Sequence, residues 1–166
     1  MTLESFITIF KEVIVVIGSY KEEMINFLQK YNASQVIPVF NDQWDINGMS
    51  SSIKKGLEYV DQEYTVKGIL IHPGDIPFIS PNDINSIISE AKQKSFQTII
   101  IPQYSQKHGH PVFIPKFLFS EVFKITEENE GLRGFMNQNN QYKIFVNGSK
   151  GTIKDIDKKE DVDLIK

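Results

Sequence analysis

The chain has 166 residues, a formal net charge of −3 and no cysteine. A length inside the roughly 100–200 residues of an ordinary domain predicts one domain over residues 1–166 with a sizeable core. The missing thiols exclude disulfides, thiolate metal sites and cysteine nucleophiles, and they fit a reducing, cytoplasmic setting. A pI near 5.6 argues against the broad phosphate-neutralising surface that nucleic acid requires. With no apolar run of about 18 residues and no leader pattern, no membrane partner is expected. A small ligand is the expected partner, and any metal must be held by oxygen or histidine.

Residues Leu3 to Lys11 carry Phe6, Ile7, Ile9 and Phe10 at mostly helical spacing, and Val13 to Ile17 then read as a buried strand ended by Gly18. Ser19 is suited to cap a helix through Lys30, and Gln35 to Phe40 follow as a strand kept towards an edge by Pro38. Asn41 to Gly48 read as a polar loop holding the only tryptophan, Trp44. Met49-Ser50-Ser51-Ser52 opens a helix with Ile53, Leu57 and Val60 on its apolar side. Gly68 to His72 form a short apolar strand stopped by Pro73, Gly74 and Pro77, and Ser80-Pro81-Asn82-Asp83 announces a helix to about Lys94. Gln97 to Ile101 read as a strand stopped by Pro102. Val112 to Ile114 follow, then helices from Lys116 to Ile125 and from Gly131 to Asn137, and a strand from Tyr142 to Val146. The Asn147-Gly148 turn leads to Asp155-Ile156-Asp157 and a last helix from Lys158. Regular alternation of strands and helices predicts an α/β fold with a mainly parallel sheet.

Several loops follow strands, and in a parallel sheet such loops sit at one end, where ligands bind. Asp75 reads equally as a turn cap and as a carboxylate offered to a ligand. Asp157 reads equally as the cap of the last helix, with Glu160 three residues on, and as a second strand-end carboxylate. Together they would make a hard oxygen seat for Mg²⁺, which takes one or two carboxylates plus phosphate oxygens and water, so the pair is expected to share one ion. The hydroxyls of Ser50, Ser51 and Ser52 suit ordinary capping first and an anion second. His108 and His110 flank Gly109 without a third ligand, so no zinc is expected. Trp44 suits a stacking surface or a loop anchor. Arg133 is the single arginine among 18 basic residues, so its planar fork is a candidate for anion recognition, with helix-capping contacts as the alternative.

Asn41…Trp44…Gly48-Met49-Ser50-Ser51-Ser52…Gly56, His72-Pro73-Gly74-Asp75-Ile76-Pro77, Gly109-His110-Pro111-Val112, Gly131-Leu132-Arg133 and Asp155-Ile156-Asp157…Glu160-Asp161 closely resemble, in order and spacing, the MobA-like nucleotidyltransferases. The nearest branch looks like the molybdenum cofactor cytidylyltransferases associated with molybdenum hydroxylases. The resemblance implies a three-layer Rossmann-like sheet of the nucleotide-diphospho-sugar transferase type with helices on both faces. It implies Mg²⁺-dependent transfer of a nucleotide, CMP foremost, from a nucleoside triphosphate to molybdopterin. By it Asp75 matches the catalytic, metal-binding aspartate and Asp157 the second metal ligand. Asn41, Gly48, Met49, Ser51, Ser52, Gly109, His110 and Pro111 match substrate-side loops, and Arg133 the pterin-phosphate side.

Family members begin with an apolar strand and a glycine-rich loop, Leu-Ala-Ala-Gly-x-Ser-x-Arg-Met-Gly, before a lysine. Here Met1-Thr2-Leu3-Glu4 aligns after that unit, so the first strand, within roughly 30 residues of chain, is expected to be missing. Lys158-Lys159 stands where Thr-Pro is usual. Two functions follow: a nucleotidyltransferase completed by an upstream segment, or a non-catalytic binding or partner protein that kept the pterin side. With the loop gone, these 166 residues by themselves are expected not to turn over a triphosphate. The strands Val13–Ile17 and Gly68–His72, which would flank the missing one, are expected to close up and pair directly.

Overall fold

The computed structural model of the protein describes residues 2–32 and 34–156. In chain order these form α1 (Thr2–Ile7), β1 (Val13–Ile17), α2 (Lys21–Leu28), β2 (Val36–Phe40), α3 (Trp44–Glu63), β3 (Gly68–Ile71) and α4 (Pro81–Gln93). The chain continues through β4 (Ile99–Tyr104), β5 (Lys107–His108), β6 (Val112–Pro115), α5 (Phe119–Val122), α6 (Gly131–Gln138) and β7 (Lys143–Asn147), with short 3₁₀ turns between. They assort into two compact units. One comprises Met1–Ile9, Gly68–Ile114 and Lys143–Lys166, the other Phe10–Lys67 and Pro115–Tyr142.

The first unit is built on a five-stranded sheet in the order β3-β6-β4-β5, with β7 on the other edge of β4. β4 pairs parallel with β7 from Ile99↔Lys143 to Gln103↔Asn147, and antiparallel with β6 through Ile100↔Phe113. As the central strand it is apolar without alternation, and Ile99, Ile100 and Ile101 are all buried. Ile84, Ile87 and Ala91 recur at helical spacing on α4 and are fully buried; Ile87 and Ala91 pack against Ile100 and Phe113. Each such isoleucine is worth roughly 1.5–3 kcal/mol of burial. α4 starts at a capping box in which the Ser80 hydroxyl accepts from the Asp83 N–H and the Asp83 carboxylate accepts from the Ser80 N–H. That carboxylate is buried and also accepts from the N–H and hydroxyl of Ser149 at 2.8 and 2.9 Å, which ties the cap to the turn after β7.

The second unit holds the parallel pair β1–β2, in register from Val13↔Val36 to Ile17↔Phe40. α3 packs on it with Leu57 buried against the strands, and Leu118, Phe119, Val122, Ile125 and Phe135 are buried in the segment from Pro115 to Tyr142.

Five expectations need correction. β1 and β3 do not pair with each other but end separate sheets, so among the described residues each keeps one ladder of backbone groups open. Residues 44–47 are helical rather than loop and join α3 across a break at Gly48. α2 follows Tyr20 in a left-handed conformation with no side-chain cap, so Ser19 does not cap it. The stretch from Lys116 to Ile125 splits into a 3₁₀ turn at Lys116–Leu118 and the short α5. Pro102, moreover, does not stop β4: it needs no N–H there, and its carbonyl accepts from Gly109 at 2.7 Å. No helix among the described residues is long and apolar enough to cross a membrane.

Candidate functional site

In the first unit, β3 delivers the chain into the turn His72-Pro73-Gly74-Asp75-Ile76-Pro77, which is fixed at several points. Ile76 and Ile79 are buried, and the Ser5 hydroxyl donates to the Ile79 carbonyl at 2.7 Å. The His72 ring reaches the Ile76 carbonyl through Nε2 at 2.9 Å. The Ile156 N–H donates to the Asp75 carbonyl at 2.8 Å, which brings the chain just before Asp157 against this turn. Asp157 itself lies outside the described residues. The side chain of Asp75 is exposed at the tip of the turn.

The Gly109-His110-Pro111 segment is locked from the other side. Gly109 N–H bonds the Pro102 carbonyl and His110 N–H the Thr152 carbonyl, at 2.7 and 2.8 Å. A Cβ on Gly109 would stand 2.6 Å from the Thr152 oxygen, so only glycine allows this approach. Pro111 and Thr152 are fully buried. The His110 ring lies edge-on to His72, with centroids 6.5 Å apart, and Phe6 packs 5.1 Å from His72 on another side. Nδ1 of both rings is buried without a hydrogen-bond partner among the described residues.

Burial, above all, pushes the His72 pKa down to about 4; its bond to Ile76 and the nearby Asp75 charge oppose this, while His110 adds to it. His110 is lowered mainly by burial as well, against the Ile71 carbonyl and the Asp75 charge. Both imidazoles are therefore neutral at pH 7, and the charge of Asp75 acts on both. Among the described residues no three histidine, aspartate or glutamate side chains converge as a ready-made metal cage.

In the second unit, Asn41 is buried after β2 and every one of its groups is used. Its N–H bonds the Ile17 carbonyl, its Oδ1 accepts from Gln43 N–H, and its Nδ2 donates to the hydroxyls of Ser51 and Ser52 at 2.7 and 3.0 Å. Ser51 in turn donates to the Gly48 carbonyl at 2.8 Å. Gly48, at φ 57° and ψ −155°, has a backbone open essentially to glycine alone, and it turns the chain into the long part of α3. At that helix start the Ser50 N–H donates to Glu127 Oε1 at 2.7 Å. Hydrogen bonds from Ser50, its backbone first, hold the Glu127 carboxyl below the usual range. Met49 and Trp44 are exposed, and Arg133 projects from α6 with no partner for its guanidinium among the described residues.

The expected site residues thus divide between the units: Asp75, Gly109, His110 and Pro111 in one, Asn41, Gly48, Met49, Ser51, Ser52 and Arg133 in the other. Sequence reasoning placed His72 in the Asp75 turn without giving it a role, and it missed Glu127 as the cap of α3 beyond Gly48 and Thr152 as the anchor of Gly109-His110. His72 carried a signal, being an imidazole three residues before the turn carboxylate. Glu127 carried none, since it lies 77 residues from the N–H it caps.

The sequence matches the MobA-like NTP transferase domain over residues 1–142, a span that runs through both units. Among solved structures, a nucleotidyl transferase from Methanothermobacter thermautotroptrophicus superposes with a TM-score of 0.75 at 20% identity, over 99% of this chain and 78% of that one. Rv0371C of Mycobacterium tuberculosis H37Rv, in a complex with manganese, gives 0.68 at 17% identity, over 99% and 83%. The 4-diphosphocytidyl-2C-methyl-D-erythritol synthase of Anaerococcus prevotii gives 0.71 at 18% identity, over 98% and 84%. At these identities the structures share the fold.

Proposed function

This chain belongs to the MobA-like NTP transferase family, and from that premise we propose that it transfers CMP from CTP to molybdopterin, with a molybdenum hydroxylase as the eventual recipient in the cytoplasm. A phosphate oxygen of the pterin bonds to the α-phosphorus of the nucleotide, the bond from that phosphorus to the β-phosphate bridge breaks, and pyrophosphate leaves. The observation that carries this reading is the exposed carboxylate of Asp75 at the tip of a strand, in a turn fixed by Ile156, His72 and Ser5. Such a position holds a charged group still while phosphates rearrange around it.

A divalent cation suits these residues. The exposed Asp75 carboxylate offers an ionic contact, and the unpaired imidazole nitrogens of His72 and His110 in the same unit offer acceptors for water, which is how Mg²⁺ prefers to be held. The manganese complex of the mycobacterial relative supports a divalent ion. Bound at Asp75, with Asp157 as a second ligand, Mg²⁺ would neutralise charge on the triphosphate. Arg133 meets the anionic pterin side through its fork. Asn41, Ser51 and Ser52 act by shaping the loop ahead of Met49, because their polar groups are already spent on one another. Gly109 and Pro111 likewise hold His110 in place.

A second reading, a non-catalytic partner that binds the pterin, is favoured by one observation: the first free N–H of α3 faces a protein carboxylate rather than an open anion site. Pyrophosphate release separates the two. The protein with Mg²⁺, molybdopterin and CTP, GTP or ATP in turn should release pyrophosphate with CTP foremost, and Asp75→Asn should lower the rate by roughly 10²–10³-fold. Tight molybdopterin binding with no release from any triphosphate would overturn the transferase reading in favour of the partner.

A further inference from the structure

We infer that His72, supported by His110, positions the divalent cation of Asp75 from its outer shell, its Nδ1 accepting a hydrogen bond from a cation-bound water. This rests on the reading of Asp75 as the cation-holding carboxylate and adds a residue that the motifs do not assign.

A carbonyl oxygen only accepts, so the 2.9 Å contact of His72 Nε2 with the Ile76 oxygen places the ring proton on Nε2. Nδ1 is then a bare lone pair. It is buried and meets no protein donor among the described residues, and an acceptor stripped of water without a replacement is costly. His110 repeats the pattern, with its Nδ1 buried and unmet. Two such unmet acceptors call for a donor from outside the protein, and the charge of Asp75, three residues from His72, acts on both rings.

The identity of that donor follows from what surrounds the rings. Direct coordination by both imidazoles would make a softer, nitrogen-rich site, and among the described residues the two rings and a carboxylate do not converge as a three-ligand cage. A hard cation on a single carboxylate keeps most of its waters, and their protons are strong donors. The bond from Nε2 to the Ile76 carbonyl fixes the tautomer and orientation of the His72 ring. Phe6 at 5.1 Å and the edge of His110 at 6.5 Å limit the ring's freedom to turn away. Burial keeps the ring neutral, and so able to accept, throughout the physiological range.

Binding of Mn²⁺ to the nucleotide-free protein, followed by electron paramagnetic resonance, is the first test. Asp75→Asn should abolish specific binding. His72→Phe, which keeps a ring but loses the acceptor, should weaken it about tenfold, and His72→Gln should restore part of the loss. If Asp75→Asn leaves Mn²⁺ affinity unchanged, the underlying reading of Asp75 fails. If Asp75→Asn abolishes binding and His72→Phe changes the affinity less than about twofold, only the role of His72 is overturned. The wild-type protein supplies a measurement that needs no variant of His72. The ¹⁵N resonance of His72 Nδ1 should start in the unprotonated range and move on adding Mg²⁺, and stay still in Asp75→Asn. A resonance that ignores Mg²⁺ in the wild-type protein, or a direct nitrogen coupling to bound Mn²⁺, would overturn the outer-shell role.

Discussion

The carboxylate of Glu127 caps the turn of α3 that follows the break at Gly48 by accepting the Ser50 N–H at 2.7 Å, although 77 residues separate the two. A negative charge at that end also meets the positive pole of the helix. Glu127→Ala is expected to cost roughly 0.5–1 kcal/mol, with Glu127→Gln in between because it keeps an acceptor and loses the charge. The sign with pH is fixed by the lowered folded pKa. The contribution is present above the ordinary carboxylate range and disappears as pH falls through the folded value. Urea unfolding at neutral and acidic pH should show the variant and the parent converging in acid.

Asp83 is the second carboxylate whose charge is tied to the fold. Burial raises its pKa, but hydrogen bonds from Ser80 and Ser149 outweigh that and leave it lowered. Asp83→Ala strips the cap of α4 and leaves two Ser149 donors unmet, with an expected loss of about 1–3 kcal/mol. Ser149→Ala should cost less, since the capping box survives it. Thermal unfolding of the two variants and of the double variant would give the coupling; purely additive losses would contradict a shared network.

His72 works in the opposite charge sense at a similar pH. Its folded pKa of about 4 lies below the ordinary value of 6.5, so the unfolded chain binds the extra proton between them. Stability should therefore be undiminished above about pH 6.5 and fall as pH drops towards 4, by up to about 3 kcal/mol in all. Asp75 and His110 face the ring and shift the midpoint in opposite directions. His72→Gln should flatten this part of the stability profile, and an unchanged acid slope in the variant would assign it to other groups.

The open ladder of β1 carries a separate expectation. Among the described residues this strand pairs only with β2, and its apolar side chains Val13 to Val16 are only half-buried. Apolar edges of that kind invite pairing between molecules. Val16 faces α3, where its Cγ2 lies 2.8 Å from the position of a Cβ on Gly56, so Val15 points to the other face of the strand. Val15→Lys should reduce concentration-dependent association measured by light scattering while leaving the far-ultraviolet circular dichroism unchanged. Equal association of both proteins would place the contact elsewhere.

Elements whose energetics close within a few residues were legible in the chain itself. The capping box of Ser80 and Asp83, the helical stripe of Ile84, Ile87 and Ala91, and the apolar runs of β1 and β4 all follow from local spacing. So does the placing of Asp75 just beyond a strand, because Pro73, Gly74 and Pro77 leave the chain no ladder to continue. The same locality explains two misreadings. Ser19 is a good cap by type, yet Tyr20 takes the left-handed turn into α2. Residues 44–47 look like loop, yet they close a helical turn before Gly48.

What the residues determined alone was therefore the alternation of elements, the apolar faces, the motif order that marks the family, and a carboxylate waiting at the tip of β3. Only the tertiary structure decided that β1 and β3 belong to separate sheets, and that Ser51 turns its hydroxyl inward to the Gly48 carbonyl. It also decided that Glu127 caps α3 just after Gly48, and that Nδ1 of His72 and of His110 is buried with no partner among the described residues. Each of those outcomes joins groups brought close by the path of the whole chain, as in the 66 residues between Asp83 and Ser149. Hydrogen bonds at such separations depend on which segments pack together, and residue spacing carries no record of that.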